Sequence, residues 1–175
     1  MVRAIVVADT SVLINFLRID RMDLIGAHPA SFIATDHVAA EITGTYPEQQ
    51  ARYSTALSAA QITEQRIDDP TELEIFLRLA AKGRLGAGER AAIAVALNRG
   101  CALAIDDSRA IRRALQEAAL GENALTILRT QDIVVELIRR KVISVEAADV
   151  ILADWATNHR FKLKIDSFQA LLDAE

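Results

Sequence analysis

The sequence has a single cysteine and few aromatic side chains. Because Cys101 stands alone, an internal disulfide is excluded. It lies in the apolar stretch CALAI and is expected to pack as a small hydrophobic residue. Aromatic residues make up 5% of the 175 residues and hydrophobic residues 51%. This balance predicts a sizeable core built mainly of Ala, Val, Leu and Ile.

Long apolar runs and a surplus of positive charge are also missing. The first apolar run, Ala4–Ala8, ends at Asp9 and is too short for a signal peptide. No run approaches the roughly 18 apolar residues of a membrane span. We therefore expect a cytoplasmic protein without membrane contact. With a formal net charge of -4, the chain is not a polycation that binds nucleic acid through its overall field.

Short apolar strands alternate with helical segments along the chain, which predicts the α/β class with a mainly parallel sheet flanked by helices. The length favours one domain, 1–175, with a core over 1–140 and a helical extension over 141–175. Strands are predicted at 4–8, 31–35, 62–67 (an edge strand), 101–105 and 124–128. Helices are predicted from about residue 12, and over 22–27, 37–43, 47–60, 71–82, 89–99, 109–119, 130–140, 144–158 and 167–172.

Three of these helices follow directly on a strand, and each needs a capping side chain at its start. The predicted caps are Thr10 or Ser11 for the first helix, Asp36 for the helix after SFIAT, and Ser108 for the helix after CALAI. On this view Asp9 is free for another role, because Thr10 or Ser11 supplies the cap.

Acidic residues follow two of the predicted strands. Asp9 ends the first strand, and Asp106 and Asp107 follow CALAI. Ligands of parallel α/β sheets bind beyond the carboxyl ends of the strands, so these acids meet if the two strands are neighbours. Glu41 lies on the short helix after SFIAT, and Glu89 lies directly after the glycines of LGAG.

Several carboxylates in one cleft repel each other, at a cost of about 4 kcal/mol for two charges 4 Å apart at an effective dielectric of 20. A cation or protonation must relieve that repulsion. Oxygen ligands suit Mg²⁺ or Mn²⁺, and the histidines are scattered at 28, 37 and 159. Taken singly, Asp9 is explained as well by a helix cap as by a ligand, and the Asp106–Asp107 pair by strand-end and cap residues. Glu41 alone is better explained as a solvated helix residue, and Glu89 alone as a first-turn acid that the helix dipole favours. Their joint placement favours a metal site.

Four segments together resemble the PIN-domain family: VVADTSVLINFLR, HVAAEI, LGAGERAAIAVAL and LAIDDSRAIRRA, in the family's order. The tail KVISVEAADVILADW is similar to a bacterial subfamily with a helical C-terminal extension. The resemblance implies a three-layer sandwich and a Mg²⁺- or Mn²⁺-dependent ribonuclease. Many bacterial members are VapC toxins of toxin–antitoxin pairs, which implies an RNA substrate, a homodimer and a cognate antitoxin protein.

The resemblance also implies roles for particular residues. The implied catalytic acids are Asp9, Glu41, Glu89 and either Asp106 or Asp107. Asp9 and Glu89 are the implied direct metal ligands, and Glu41 and Asp106 or Asp107 would complete the shell, partly through water. The family register favours Asp107 as the fourth acid, whereas its position at the strand end favours Asp106. Ser11, with its neighbour Thr10, is assigned to substrate binding beside the first acid.

Three arginines follow the aspartate pair on one helix face. Arg109, Arg112 and Arg113 are spaced i, i+3 and i+4 and share that face. We expect them to form a basic rim that binds backbone phosphates. The alternative is a solvated helix face with local ion pairs.

Three other functions compete with a ribonuclease. A haloacid dehalogenase-type phosphatase needs a second Asp two residues after the first, where this chain has Ser11. A receiver domain has its acid pair early and its phosphorylated Asp later, which is the reverse of the order here, and it needs a lysine late in the sheet. A PIN-fold module that only binds RNA or protein would not need the full set of acids.

Overall fold

Five short strands form the central sheet of the molecule. The computed structural model describes residues 3–81 and 83–174. All strand pairs are parallel and the spatial order is β3-β2-β1-β4-β5. The predicted α/β class, the parallel sheet and the edge position of 62–67 are therefore confirmed. The strands are β1 (Ile5–Ala8), β2 (Ser31–Thr35), β3 (Thr63–Gln65), β4 (Ala102–Ala104) and β5 (Ile127–Leu128).

Every predicted helix has a counterpart, with ends that agree to within two residues. The predicted end at Lys82 lies outside the described residues. The helices are α1 (Thr10–Arg18), α2 (Met22–Ala27), α3 (Asp36–Thr45), α4 (Pro47–Ser58), α5 (Pro70–Ala81), α6 (Ala87–Arg99), α7 (Ser108–Leu120), α8 (Thr130–Arg139), α9 (Val145–Asn158) and α10 (Gln169–Asp173).

Strand β1 lies between β2 and β4, and its side chains alternate between two separate cores. Val6 and Ala8 belong to the core beneath α1, α8 and α9, whereas Val7 belongs to the core beneath α5, α6 and α7. Both faces of the sheet are thus covered, as expected for near-continuous apolar strands in parallel sheets. The predicted three-layer sandwich is confirmed.

Helix α6 is buried along most of its length. All residues from Ala91 to Leu97 are buried, and four of these seven are alanines. The small side chains let α6 pack closely against α3, α5 and β1. Gly100 ends it with a φ of 62°, the left-handed conformation that favours glycine. This packing fixes the position of the first turn of α6, which carries Glu89.

The C-terminal segment shares the core beneath α1. Trp155 of α9 is fully buried, and its ring lies edge-on to Phe16 of α1, with centroids 5.8 Å apart. Its indole N–H donates to the carbonyl of Asn15 at 2.8 Å. Residues 141–174 therefore pack as part of one continuous core with α1. Within the described residues, no helix has the length and apolar character needed to cross a membrane.

The three predicted helix caps are wrong, and each true cap lies one or two residues earlier. Asp9, Thr35 and Asp107 cap α1, α3 and α7. Helices α1 and α3 follow their strands with no more than one intervening residue, whereas residues 105–107 separate β4 from α7. At all three helices the last residue in extended conformation takes the cap position. Asp9 therefore does cap a helix, contrary to expectation.

Candidate active site

A cavity of about 320 Å³ lies beyond the carboxyl end of β1. We call it the acidic pocket, because three carboxylates line it: one from the cap of α1, one from the middle of α3 and one from the first turn of α6. Strands β1 and β4 pair directly, as the acidic pattern required. Its lining residues are Asp9, Thr10, Ser11, Ile14, Glu41, Tyr46, Arg84, Gly86, Glu89 and Arg109.

Asp9 is the most buried acid of the pocket, with an exposed fraction of 1%. Its Oδ2 accepts hydrogen bonds from the Ser11 N–H at 3.0 Å and the Ser11 hydroxyl at 2.6 Å. Its Oδ1 is buried and has no hydrogen-bond partner among the described residues. Burial raises the pKa of Asp9, and the nearby charge of Glu41 raises it further, against the Ser11 bonds. A buried carboxylate oxygen such as Asp9 Oδ1 normally has a hydrogen-bond partner or a bound ion.

Glu41 is held from two sides by hydrogen bonds. Its Oε1 accepts from the Gly88 N–H at 2.8 Å, and its Oε2 accepts from the Thr10 hydroxyl at 2.8 Å. A Cβ on Gly88 would lie 2.5 Å from Glu41 Oε2, so only glycine allows this approach. Glu41 thus joins α3 to the first turns of α1 and α6.

Glu89 lies in the first turn of α6 and bonds back to its own helix start. Its Oε2 accepts from the Gly86 N–H at 2.9 Å. Burial raises the pKa of Glu89, and the charges of Asp9 and Asp107 raise it further, whereas Gly86 and Arg109 lower it. Glu89 therefore lies within electrostatic reach of acids from both central strands.

The two neighbouring aspartates after β4 have different surroundings. Asp106 Oδ1 accepts from the Thr130 N–H at 2.9 Å, and its Oδ2 accepts from the Thr130 hydroxyl at 2.6 Å. Asp107 Oδ1 caps α7 by accepting from the N–H groups of Arg109 and Ala110 at 2.9 and 2.8 Å. Neither lines the acidic pocket. Of the two, Asp107 carries the charge that raises the pKa of Glu89.

A buried polar network supports this edge of the sheet and was not predicted. The Asn15 amide nitrogen lies 3.0 Å from Asp106 Oδ2 and 3.1 Å from the Thr130 hydroxyl. The Asp106 N–H donates to the Ser11 hydroxyl at 3.1 Å. Ser11 therefore links the Asp106 network to Asp9. Burial raises the pKa of Asp106 despite the two bonds from Thr130.

The predicted arginine rim is only partly at the acidic pocket. Arg109 lines the pocket, whereas Arg112 and Arg113 do not. Arg113 is mostly buried and pairs with Glu117 at 3.4 Å. Arg84, which the sequence analysis did not identify, lies on the pocket wall beside Arg109.

The residues that sequence reasoning missed leave weak signals. Asn15 is a polar residue among the apolar positions of α1, and Thr130 begins the helix after the last strand, as Thr10 does after the first. The spacing Gly86–Ala87–Gly88 before Glu89 marks a close backbone approach. Tyr46, Ile14 and Arg84 leave no signal in the sequence, because their place on the pocket wall depends on how separate segments pack.

The acids of the pocket have the donor atoms that a hard divalent cation prefers, but they do not surround one position closely enough to form a complete coordination shell. Asp9, Glu41 and Glu89 offer only carboxylate oxygens, which suit Mg²⁺ or Mn²⁺. The unpartnered Asp9 Oδ1 supplies a free ligand atom. Across residues 3–81 and 83–174, no three His, Cys, Asp or Glu side chains lie close enough together to hold one ion. An ion held by all three acids would therefore need side-chain movement, and for Glu89 that movement would break its hydrogen bond to the Gly86 N–H.

Comparisons with other proteins agree with this fold. The model of the family DUF3368, described as a PIN domain, matches residues 5–174. No protein of curated description is similar in sequence. A solved structure of a PilT N-terminus domain protein, SSO1118, from the archaeon Sulfolobus solfataricus P2 is 15% identical, with a TM-score of 0.47, and covers 74% of this chain and 89% of its own. That likeness is too remote to transfer a residue or an activity. The match of the family model to residues 5–174, nearly the whole chain, shows that this protein belongs to the PIN-domain family.

Proposed function

We propose that the protein is a Mg²⁺- or Mn²⁺-dependent endoribonuclease. PIN-domain membership suggests a nuclease-type function. One observation carries the proposal to this site: three carboxylates converge on one pocket, and the most buried of them, Asp9, has an oxygen without a partner. A cation at that oxygen would relieve both the repulsion and the missing contact.

Each acid has its own part in this proposal. Asp9, through Oδ1, and Glu89 are the direct ligands, while Glu41 completes the shell from its position between Thr10 and Gly88. Asp107 adds negative charge beside Glu89. When bound, the ion supplies Lewis acidity that activates water for attack on the phosphodiester and neutralises the developing charge.

The remaining residues position these acids and the substrate. Ser11 holds Asp9 through two hydrogen bonds to Oδ2, which leaves Oδ1 for the ion. Asp106 positions Ser11 through its N–H and is thereby a positioning residue. Arg109, at the pocket wall, faces the negative charge of a bound phosphate.

We also propose that the ribonuclease acts as the toxin of a toxin–antitoxin pair, as a homodimer that binds an antitoxin protein. This part rests on the similarity of the sequence motifs to VapC toxins.

The test is the removal of the metal. Purified protein incubated with single-stranded RNA of mixed sequence should cut it in Mn²⁺ or Mg²⁺ and should stop cutting when EDTA is added in excess. Products carrying 5′-phosphates, read by gel mobility before and after phosphatase treatment, are expected. A protein that neither cuts RNA nor binds Mn²⁺ in calorimetry would contradict the proposal.

Gly88→Ala should weaken metal binding without unfolding the protein. The new methyl group displaces the Glu41 carboxylate, whereas alanine favours a helix by about 1 kcal/mol over glycine. Since Glu41 is proposed to complete the shell, we expect about 10- to 100-fold weaker Mn²⁺ binding in calorimetry. Gly44→Ala is the matched control, because Gly44 lies on the same helix as Glu41 and its Cβ would meet no atom within 4 Å. Equal Mn²⁺ affinity in the two variants would contradict the role of Glu41.

A further inference from the structure

A second cavity, of about 290 Å³, lies beside the acidic pocket. Arg84 and Arg109 line both cavities, which makes the two neighbours. We call it the arginine cavity, because four of its lining residues are arginines. It is lined by Gly83, Arg84, Leu85, Arg109, Arg112, Arg113 and Gln116.

One face of α7 supplies most of this cavity. Arg109, Arg112, Arg113 and Gln116 are spaced i, i+3, i+4 and i+7, so they lie on one side of the helix. The loop that enters α6 supplies the other wall through Arg84. The φ of Arg84 is 87°, in the left-handed region that disfavours residues other than glycine. The loop thus holds an arginine at the cavity despite a backbone conformation that disfavours it.

Two of the four arginines in the arginine cavity have no counter-charge among the described residues, a third has only a distant one, and the fourth has one ion pair. Arg84 and Arg112 form no hydrogen bond or ion pair with any described residue. Arg109 makes only a long contact of 3.9 Å with Asp107, and its side chain is 60% exposed. Arg113 pairs with Glu117 at 3.4 Å, but its Nε is buried without an acceptor among the described residues. None of the described lining residues is a carboxylate.

We propose that the arginine cavity binds a phosphate group of the nucleic acid strand, next to the phosphate that lies over the acidic pocket. The proposal rests on the proposed nuclease function. Guanidinium groups bind phosphate oxygens through paired hydrogen bonds. The acidic pocket repels a polyanion, and the chain has a formal net charge of -4, so the attraction must come from a local site. The shared residues Arg84 and Arg109 give a continuous path from one phosphate to the next.

The test measures binding rather than cleavage. A fluorescein-labelled 12-nucleotide oligouridylate is titrated with protein in EDTA, at several salt concentrations, and followed by anisotropy. Arg84→Gln and Arg112→Gln should each weaken binding about tenfold. Each should also reduce the slope of log K against log salt by about 0.7, the value for one phosphate contact on a single strand. Arg3→Gln is the control, because Arg3 precedes β1 and is exposed at the opposite edge of the sheet.

A second set of titrations shows whether the cavity binds an internal or a terminal phosphate. Equal losses on oligouridylates with and without a 5′-phosphate assign the cavity to an internal phosphodiester, whereas a loss confined to the 5′-phosphorylated strand assigns it to a terminal phosphate. Both results support the proposal. Unchanged affinity and slope in the Arg84 and Arg112 variants, or the same loss in Arg3→Gln, would overturn it. Displacement of the RNA by decaglutamate at equal charge would also overturn it, in favour of an acidic peptide.

These outcomes separate the cavity from the nuclease proposal. Arginine-dependent binding by a protein that cuts no RNA in Mn²⁺ would leave the cavity standing and remove the nuclease function. Metal-dependent cutting with binding indifferent to Arg84 and Arg112 would do the reverse.

Discussion

Asp9→Asn should abolish metal-dependent RNA cleavage while the protein stays folded. Asparagine can still accept the Ser11 hydrogen bonds and is as good a helix cap as aspartate. It removes the negative charge that the proposed ion requires. A loss of about 4 kcal/mol of transition-state stabilisation corresponds to about 1000-fold in rate. The measurement is the initial rate of RNA cleavage in Mn²⁺, with circular dichroism as the check on folding.

The same variant separates the two roles of Asp9. Asp9→Ala removes both the cap and the ligand, so it should lose activity and also about 1 kcal/mol of stability. Asp9→Asn should lose activity alone, because asparagine keeps the helix cap while it removes the buried charge. Cleavage by Asp9→Asn within tenfold of the wild-type rate would leave Asp9 as a helix cap only.

Metal-free stability should also depend on pH through Asp9. Burial raises its pKa above the unfolded-chain value of 3.8, so the native state binds the proton before the unfolded chain does. Stability therefore rises as the pH falls from 7 toward the ordinary carboxyl range, and is lost as the pH rises through the raised value. Glu89 and Asp106 shift in the same direction. Urea unfolding in EDTA at several pH values should show a weaker dependence for Asp9→Asn.

Trp155→Ala should be the most destabilising single substitution in the C-terminal segment. The side chain is fully buried against Phe16 and Phe161 and donates to the Asn15 carbonyl. Truncating a buried aromatic residue costs about 3–5 kcal/mol. Because Trp155 is the only tryptophan, urea unfolding should be followed by far-UV circular dichroism rather than by intrinsic fluorescence.

Two controls divide this effect into packing and hydrogen bonding. Trp155→Phe keeps most of the packing and leaves the Asn15 carbonyl without its donor, which should cost about 1–3 kcal/mol. Val150→Ala, on the same helix but 70% exposed, should change stability by less than about 0.5 kcal/mol. If Trp155→Ala lost no more than Val150→Ala, α9 would not belong to the cooperative core.

The sheet and the convergence of acids could be predicted from the sequence because both follow from short-range patterns. The apolar runs at β1, β2 and β4 are bounded by polar residues, and parallel strands bring their carboxyl ends to one edge. That rule placed Asp9 beside β4 and predicted its approach to acids that follow other strands. It depends on strand order only through the pairing of β1 with β4, which the structure confirms.

The direction of individual side chains could not be predicted in the same way. Asp106 and Asp107 are adjacent in sequence, yet one bonds to Thr130 and the other caps α7. Which aspartate bonds to Thr130 depends on where β5 and α8 place that residue. The contact joins positions 24 residues apart, so no short-range pattern predicts it. Arg113 lies away from the acidic pocket, because it pairs with the buried Glu117 one turn further along α7. Arg84, which no pattern in the sequence indicates, lies on the pocket wall instead.

The order of the strands in the sheet also sets when the pocket can form during synthesis. Strand β1 leaves the ribosome first, but the Asp9 N–H bonds to Ala104 and Ser11 bonds to Asp106, 95 positions later. At about 5–20 residues per second, roughly 5–20 s separate these events in translation. These two contacts can therefore form only after β4 has emerged, and Trp155 packs against Phe16 of α1 later still. A chain that ends before Ala104 lacks the backbone acceptor of Asp9, so the acidic pocket stays incomplete until translation has passed β4.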